Sequence, residues 1–247
     1  MSGNLKVVGS GPGDHRELSP RALNALKEAE TIVGYPRYID LIGDLISDKE
    51  LITTGMKKEK ERAYAALEAA RRGKAVCLVS GGDPGVYGLA GLLLELATEE
   101  EQEDLSLEVV PGITAATAAA SALGAPLTHD FAVISLSDLL TDTELIRKRL
   151  GLAAEGDFVT VIYNPKSRRR TELFFLLPEI FLPHRSPTTP VGIVSNAGRV
   201  EEERIITDLE RLPDHADSVQ MGTTLIIGNS HTYVKGRFII TPRGYEV

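Results

Sequence analysis

The chain has 247 residues, 43% hydrophobic and 25% charged, an ordinary globular balance with room for one large or two medium domains. Lys and Arg number 27 against 35 Asp and Glu, a net charge of −8; this argues against a general nucleic-acid or anionic-membrane binder, though not against local basic patches. The single cysteine, Cys77, cannot form an internal disulfide, and no run of about 18 apolar residues is present to span a membrane.

The opening MSGNLKVVGSG lacks a basic segment followed by an apolar one. No signal peptide is expected, and a cytoplasmic protein follows by default. Residues 5–9 read as a first strand running into Gly9-Ser10-Gly11-Pro12-Gly13-Asp14. This is not a dinucleotide fingerprint, because Asp14 holds the third glycine position and Pro12 disrupts a helix started at the second glycine. No helix is expected before Ser19-Pro20, an N-cap followed by proline at N1, with Ala22, Leu23, Leu26 and Ala29 as its apolar stripe. Residues 31–34 form a short strand, residues 35–38 lead into a helix ending near Ile46, and residues 51–53 form another strand. Residues 57–62 open a helix with Ala63, Ala66, Leu67 and Ala70 on one face, ended by Gly73.

Residues 76–88, VCLVSGGDPGVYG, organise the chain. The apolar run 76–79 reads as a buried strand with Cys77 in the core, the stretch 80–85 as a tight loop, and 86–96 as a helix. Strand, glycine loop and helix are the usual place for a ligand to touch backbone. Gly81 and Gly82 remove side chains there, while the loop lacks the Lys of a phosphate cradle and carries the anionic Asp83. It suits a neutral or cationic ligand such as a ribose or a sulfonium. The alternative is a plain turn with Asp83 capping the helix.

Residues 99–104 read as an acidic turn and 107–110 as a strand stopped by Pro111-Gly112. Residues 113–123, ITAATAAASAL, form a helix of small residues that lets a sheet, a helix or a ligand approach closely, with Thr114 in its first turn. Strand and helix alternate to this point, the pattern of a parallel sheet. Beyond it come a strand at 131–136, a helix at 143–152, a strand at 158–163, a helix at 169–181, and short strands at 191–194, 204–207, 224–227 and 237–240. Strands with so little helix between them indicate a mixed sheet. The fold class is therefore α/β with two domains, 1–130 and 131–247, the first sheet mostly parallel and the second mixed.

Strand ends in the second half carry small polar groups: Tyr163-Asn164, Ser195-Asn196-Ala197 and Gly222-Thr223-Thr224. With the glycine loops of the first half they suggest a ligand held between the domains. The basic run Lys166, Arg168, Arg169 and Arg170 is either a carboxylate-binding patch or a solvated helix start. The five histidines have no ligand spacing and there is no CxxC, so no metal site is expected; there is no GxSxG either.

Four motifs in this order, GSGPGD at 9–14, SGGDPGVYG at 80–88, VPGITAATAAA at 109–120 and GAPLTHD at 124–130, resemble the tetrapyrrole (corrin and uroporphyrinogen) methylase family. The resemblance covers nearly the whole chain, and the YNPKSRRR and VSNAGR segments look most like its C17-methylating branch. It implies a homodimer of two α/β domains, with S-adenosylmethionine (SAM) in the interdomain cleft and a precorrin-type tetrapyrrole above it. The activity implied is methylation of C17 of a precorrin-3-type tetrapyrrole, with ring contraction, in cobalamin biosynthesis. SAM contacts carried over by the resemblance are Gly81, Gly82, Asp83, Val86, Thr114, Ala115, Tyr163, Asn164, Ala197, Thr223 and Thr224. The first loop, 11–14, would face the tetrapyrrole, and the extra C-terminal iron–sulfur region of some members is not expected. A sulfonium suits carbonyl dipoles and tolerates Asp83. Ring contraction needs proton movement, for which Asp14 and His129 are the candidates; the other reading of Asp14 is that it closes its own loop. Alternatives are a sibling methylase acting at another ring carbon and a non-catalytic SAM or nucleotide sensor; an RNA-methylating branch is disfavoured by the acidic charge.

Overall fold

The computed structural model describes residues 3–246; Met1 and Ser2 of the opening stretch, and Val247, lie outside it. The chain divides into two compact units, 1–115 and 116–247. The division falls before the boundary read from the sequence because the small-residue helix that opens the second unit packs on that unit's own sheet.

The first unit alternates β1 (Asn4–Gly9), α1 (Pro20–Glu28), β2 (Thr31–Gly34), α2 (Pro36–Asp40), β3 (Glu50–Thr53), α3 (Glu59–Arg71), β4 (Ala75–Ser80), α4 (Ala90–Leu96), α5 (Glu99–Asp104) and β5 (Ser106–Val110). The strands form one parallel sheet in the order β3-β2-β4-β1-β5. Period-two alternation sends Leu5, Val7, Val76 and Leu78 to one face, under α3 and α4, and Val8, Cys77 and Val79 to the other, under α1 and α2. Each fully buried Leu or Ile contributes about 1.5–3 kcal/mol relative to exposure. The neighbouring strands β1 and β4 thus hand the chain to opposite faces, which leaves their C-terminal ends open to a ligand. Cys77 is in the core: its thiol donates to the Ala25 carbonyl, and burial pushes its pKa up to about 12.

The second unit is built around α6 (Ala115–Leu123), β6 (Gly124–Ala125), β7 (Phe131–Ser135), α7 (Thr143–Glu155), β8 (Val159–Tyr163), α8 (Glu172–Phe175), α9 (Leu177–Phe181), β9 (Pro190–Ser195), β10 (Glu203–Asp208), β11 (Thr223–Ile227), β12 (Tyr233–Lys235) and β13 (Phe238–Ile240). Its main sheet is mixed, in the order β10-β9-β11-β8-β7, and β12-β13-β6 make a small second sheet. The helices α7, α8 and α9 cover one face of the main sheet around Phe174 and Phe181. The other face takes α6, whose Ala116, Ala119, Ala120 and Leu123 lie on Val159, Val161, Val194 and Ile226. Here the small residues serve helix–sheet packing, and Gly192 completes it: a Cβ there would overlap Leu123. Among the described residues no helix is long and apolar enough to cross a membrane.

Local structure departs from the sequence reading in several places. The helix expected from Val86 begins only at Ala90, because Tyr87 takes a left-handed φ of 53° and residues 84–88 turn. The acidic turn at 99–104 is a helix, made so by a capping box between Thr98 and Glu101. The helix expected over 169–181 is two short ones that start after Thr171. The helix expected to end near Ile46 stops at Asp40, followed by a 3-10 turn, Gly43–Leu45. A second 3-10 turn, His15–Glu17, begins at Asp14, where no helix was expected. Ser19 caps α1 as expected, accepting the Ala22 N–H with Pro20 behind it.

Candidate functional site

In the first unit three strand ends meet at backbone distance. Gly11 and Gly82 exchange both hydrogen bonds of a one-residue antiparallel bridge, at 3.1 and 3.0 Å. Both have φ near +65°, a conformation that strains any side-chain-bearing residue. Gly9 and Gly112 are packed against the same crossing. A Cβ on Gly9 would stand 2.6 Å from the Gly82 carbonyl oxygen, and one on Gly112 would be closer still. The sequence reading missed these two glycines; their signal was position, Gly9 at the last residue of β1 and Gly112 two residues beyond the end of β5.

Asp83 pins the crossing. One carboxylate oxygen accepts the Gly85 N–H at 2.8 Å and the other accepts the Gly112 N–H at 3.0 Å, from the loop after β5. It therefore closes its own turn and does not cap α4. Gly82 faces the backbone of Ile113, Thr114 and Ala115, where α6 starts, while Val86 is half-buried in the turn beyond Asp83. The structure thus brings Gly81, Gly82, Asp83, Thr114 and Ala115 together. Gly81 has a packing role as well. A Cβ there would lie within 3.0 Å of three ring atoms of Tyr38, so this glycine makes room for the tyrosine.

Asp14 is the N-cap of its 3-10 turn: its carboxylate accepts the Arg16 N–H at 2.8 Å and pairs with the Arg16 guanidinium at 2.6 Å. The Arg16 side-chain bond, then the backbone bond, holds its pKa down to about 2, so it is an anion at neutral pH.

In the second unit the C-terminal ends of β7, β8 and β9 and the N-terminal end of β11 lie at one edge of the sheet. This gathers Ser135, Tyr163, Asn164, Ala197, Thr223 and Thr224, which the sequence places up to 89 positions apart in the register Ser195↔Thr223 and Ser135↔Tyr163. The Tyr163 hydroxyl accepts the Ala116 N–H at 2.6 Å and so ties β8 to the first turn of α6. Asn164 turns with φ 50° and donates to the Ser135 hydroxyl at 3.0 Å; Asn196, at φ 53°, makes the same left-handed exit after β9. Thr223 shares a 2.8 Å hydroxyl contact with Ser195 and accepts the Gln220 N–H. Of the basic run, Arg170 is taken by structure, donating to the Leu136 and Asn164 carbonyls and pairing with Asp138, and Lys166 donates to Ala216. Arg168 and Arg169 are exposed. His129 sits half-exposed on the loop before β7, its Nδ1 accepting the Asp130 N–H at 2.8 Å. Among the described residues no group of three or more His, Cys, Asp or Glu could hold a metal ion.

The profile of the family described as Tetrapyrrole (Corrin/Porphyrin) Methylases matches residues 4–213. The chain is 45% identical over 249 residues to the cobalt-factor III methyltransferase of Priestia megaterium, covering all of this chain and 46% of that one, so it spans about half that relative's length. It is 46% identical to the probable cobalt-factor III C(17)-methyltransferase of Salmonella typhimurium, covering 98% of this chain and 100% of that one. The crystal structure of the methyltransferase CobJ superposes with a TM-score of 0.90 at 37% identity, over 98% of this chain and all of the other. Uroporphyrin-III C-methyl transferase from Thermus thermophilus, solved in complex with S-adenyl homocysteine, gives a TM-score of 0.68 at 26% identity over 92% of each chain.

Proposed function

The chain belongs to the tetrapyrrole (corrin/porphyrin) methylase family, and we propose that it is a SAM-dependent methyltransferase that methylates C17 of a precorrin-3-type tetrapyrrole, with ring contraction, in cobalamin biosynthesis. The observation that carries this reading is the 81–83 loop, pinned by Gly11 and by Gly112 and bare of cationic side chains. Such a loop offers main-chain groups to a neutral ribose or a sulfonium, while the Asp83 carboxylate and the lack of a Lys or Arg disfavour a phosphate. The relatives' names and the S-adenyl homocysteine complex of a family member support it.

When bound, SAM supplies an electrophilic methyl group on a sulfonium. The residues that would hold it are Gly81, Gly82, Asp83, Val86, Thr114 and Ala115 in the first unit and Tyr163, Asn164, Ala197, Thr223 and Thr224 in the second. Their fit rests on chemistry: backbone carbonyls, small side chains and hydroxyls, with the Asp83 carboxylate already satisfied by two N–H groups. Rigid placement of donor and acceptor is the main catalytic contribution expected for an in-line displacement. Asp14 and His129 both remain proposed as the proton-handling candidates. Asp14, an anion paired with Arg16, braces the loop that would meet the acceptor. Following the family resemblance we further propose a cytoplasmic homodimer, tested by sedimentation; a monomer at micromolar concentration overturns it.

The test has two arms. Calorimetry with S-adenosylhomocysteine should show binding to the wild type and loss of it in Gly82→Val, which places a β-branched residue at φ 66°. Incubation with SAM and either cobalt-free or cobalt-bound precorrin-3-type acceptor, followed by NMR assignment, should give a new methyl on C17 of a contracted ring. No binding of S-adenosylhomocysteine, or a methyl on another carbon, refutes the assignment.

A further inference from the structure

The 81–83 loop has two unlike sides. Gly82 faces Thr114 and Ala115, the side assigned above to the methyl donor. Gly81 faces the ring of Tyr38, and the carbon bearing the hydroxyl is among the three ring atoms within 3.0 Å of where a Gly81 Cβ would stand. The Tyr38 hydroxyl therefore lies beside the loop, on its other side. Tyr38 is half-buried, and its hydroxyl makes no hydrogen bond to another described residue.

The ring is held from behind. Tyr35 meets it edge-on, with centroids 5.7 Å apart. The Arg62 guanidinium sits 5.6 Å from the Tyr35 centroid, and its Nη2 donates to the Thr54 and Gly55 carbonyls at 2.9 Å each. Arg62 is 4% exposed and has no carboxylate partner among the described residues. A buried cation without a counter-ion is stabilised by carbonyl dipoles and by an aromatic face, and it fixes both in return. Arg62, Tyr35 and Tyr38 thus make a stack from α3 to the loop whose last member presents a phenol.

We propose that Tyr38 is a substrate-contacting residue, its hydroxyl donating a hydrogen bond to an oxygen of the carboxylate-rich tetrapyrrole acceptor. This rests on the methyltransferase reading above. The donor is assigned the Gly82 side and the main chain of Gly81, which leaves the Tyr38 side of the loop to the acceptor. A phenol O–H donates readily to a carboxylate or carbonyl oxygen. Arg62 and Tyr35 are positioning residues for it.

The test is Tyr38→Phe, which deletes the hydroxyl and keeps the ring against Gly81. The expected result is a fall of about three- to tenfold in kcat/KM for the tetrapyrrole, carried mainly by KM. The dissociation constant for S-adenosylhomocysteine and the melting temperature should stay at wild-type values. Wild-type kinetics in Tyr38→Phe overturn the proposal while leaving the methyltransferase reading standing. Weakened S-adenosylhomocysteine binding overturns the assignment to the acceptor. A wild-type protein that binds S-adenosylhomocysteine yet methylates no precorrin-type acceptor overturns the functional reading and this inference with it.

Discussion

Gly112→Ala should separate the backbone crossing from every other property of the loop. Gly112 lies outside the left-handed region, so alanine is conformationally allowed there and strain in φ plays no part. The added Cβ would come within 3.0 Å of the Gly82 oxygen and of the Gly9 carbonyl carbon and Cα. All three are backbone atoms of strands or their bridge, so no rotamer change relieves the overlap. Overpacking of this kind destabilises by about 1–3 kcal/mol. Lengthening the charged Asp83–Gly112 hydrogen bond adds part of another 1.5–3 kcal/mol. A loss of about 3 kcal/mol is expected, which at about 2–4 °C per kcal/mol lowers the melting temperature by roughly 6–12 °C. Thermal scans by circular dichroism read the shift, and calorimetry with S-adenosylhomocysteine should show weakened binding. Gly151→Ala is the matched control. It lies inside α7 with nothing within 4 Å of its would-be Cβ, and should stabilise by about 0.5–1 kcal/mol. A Gly112→Ala protein melting within about 2 °C of wild type, with unaltered ligand binding, refutes the claim that three strand ends are locked at this point.

Two further outcomes follow from the ion pairs. The Asp14 pKa lies at about 2, below its ordinary 3.8, so its contribution is present above pH 4 and fades as pH falls toward 2. Asp14→Asn keeps a cap but loses the Arg16 pair. Its melting-temperature difference from wild type should be small at pH 7 in low salt, shrink in 1 M NaCl and vanish near pH 2; a difference that grows on acidification contradicts the pairing. Asp157→Ala removes the carboxylate 2.9 Å from Arg185, whose side chain is 2% exposed, together with two bonds from Ser230. A loss of about 2–4 kcal/mol is expected by urea denaturation, because the buried guanidinium keeps its charge; an unchanged urea midpoint contradicts it.

Much of the architecture was legible in the sequence because it is written in local periodicity. Apolar runs of four to six residues bounded by glycine loops locate β1, β4 and β9, and Ser19-Pro20 fixes the start of α1. The four family motifs in order identified the family before any contact was known. What the sequence determined is therefore the set of elements, the α/β class and the residue types at strand ends. The tertiary structure decided which of those residues do which job. Only the crossing of β1, β4 and β5 shows why Gly9 and Gly112 must be glycine, and only Tyr38 explains Gly81. Only the Arg16 side chain turns Asp14 from a free carboxylate into a paired cap. Only the packing of α6 on β8, β9 and β11 shows what its alanines face. The physical reason is common to all four. Periodicity and capping act over a few residues, whereas a clash, an ion pair or a packing partner depends on which distant segment arrives at the same place.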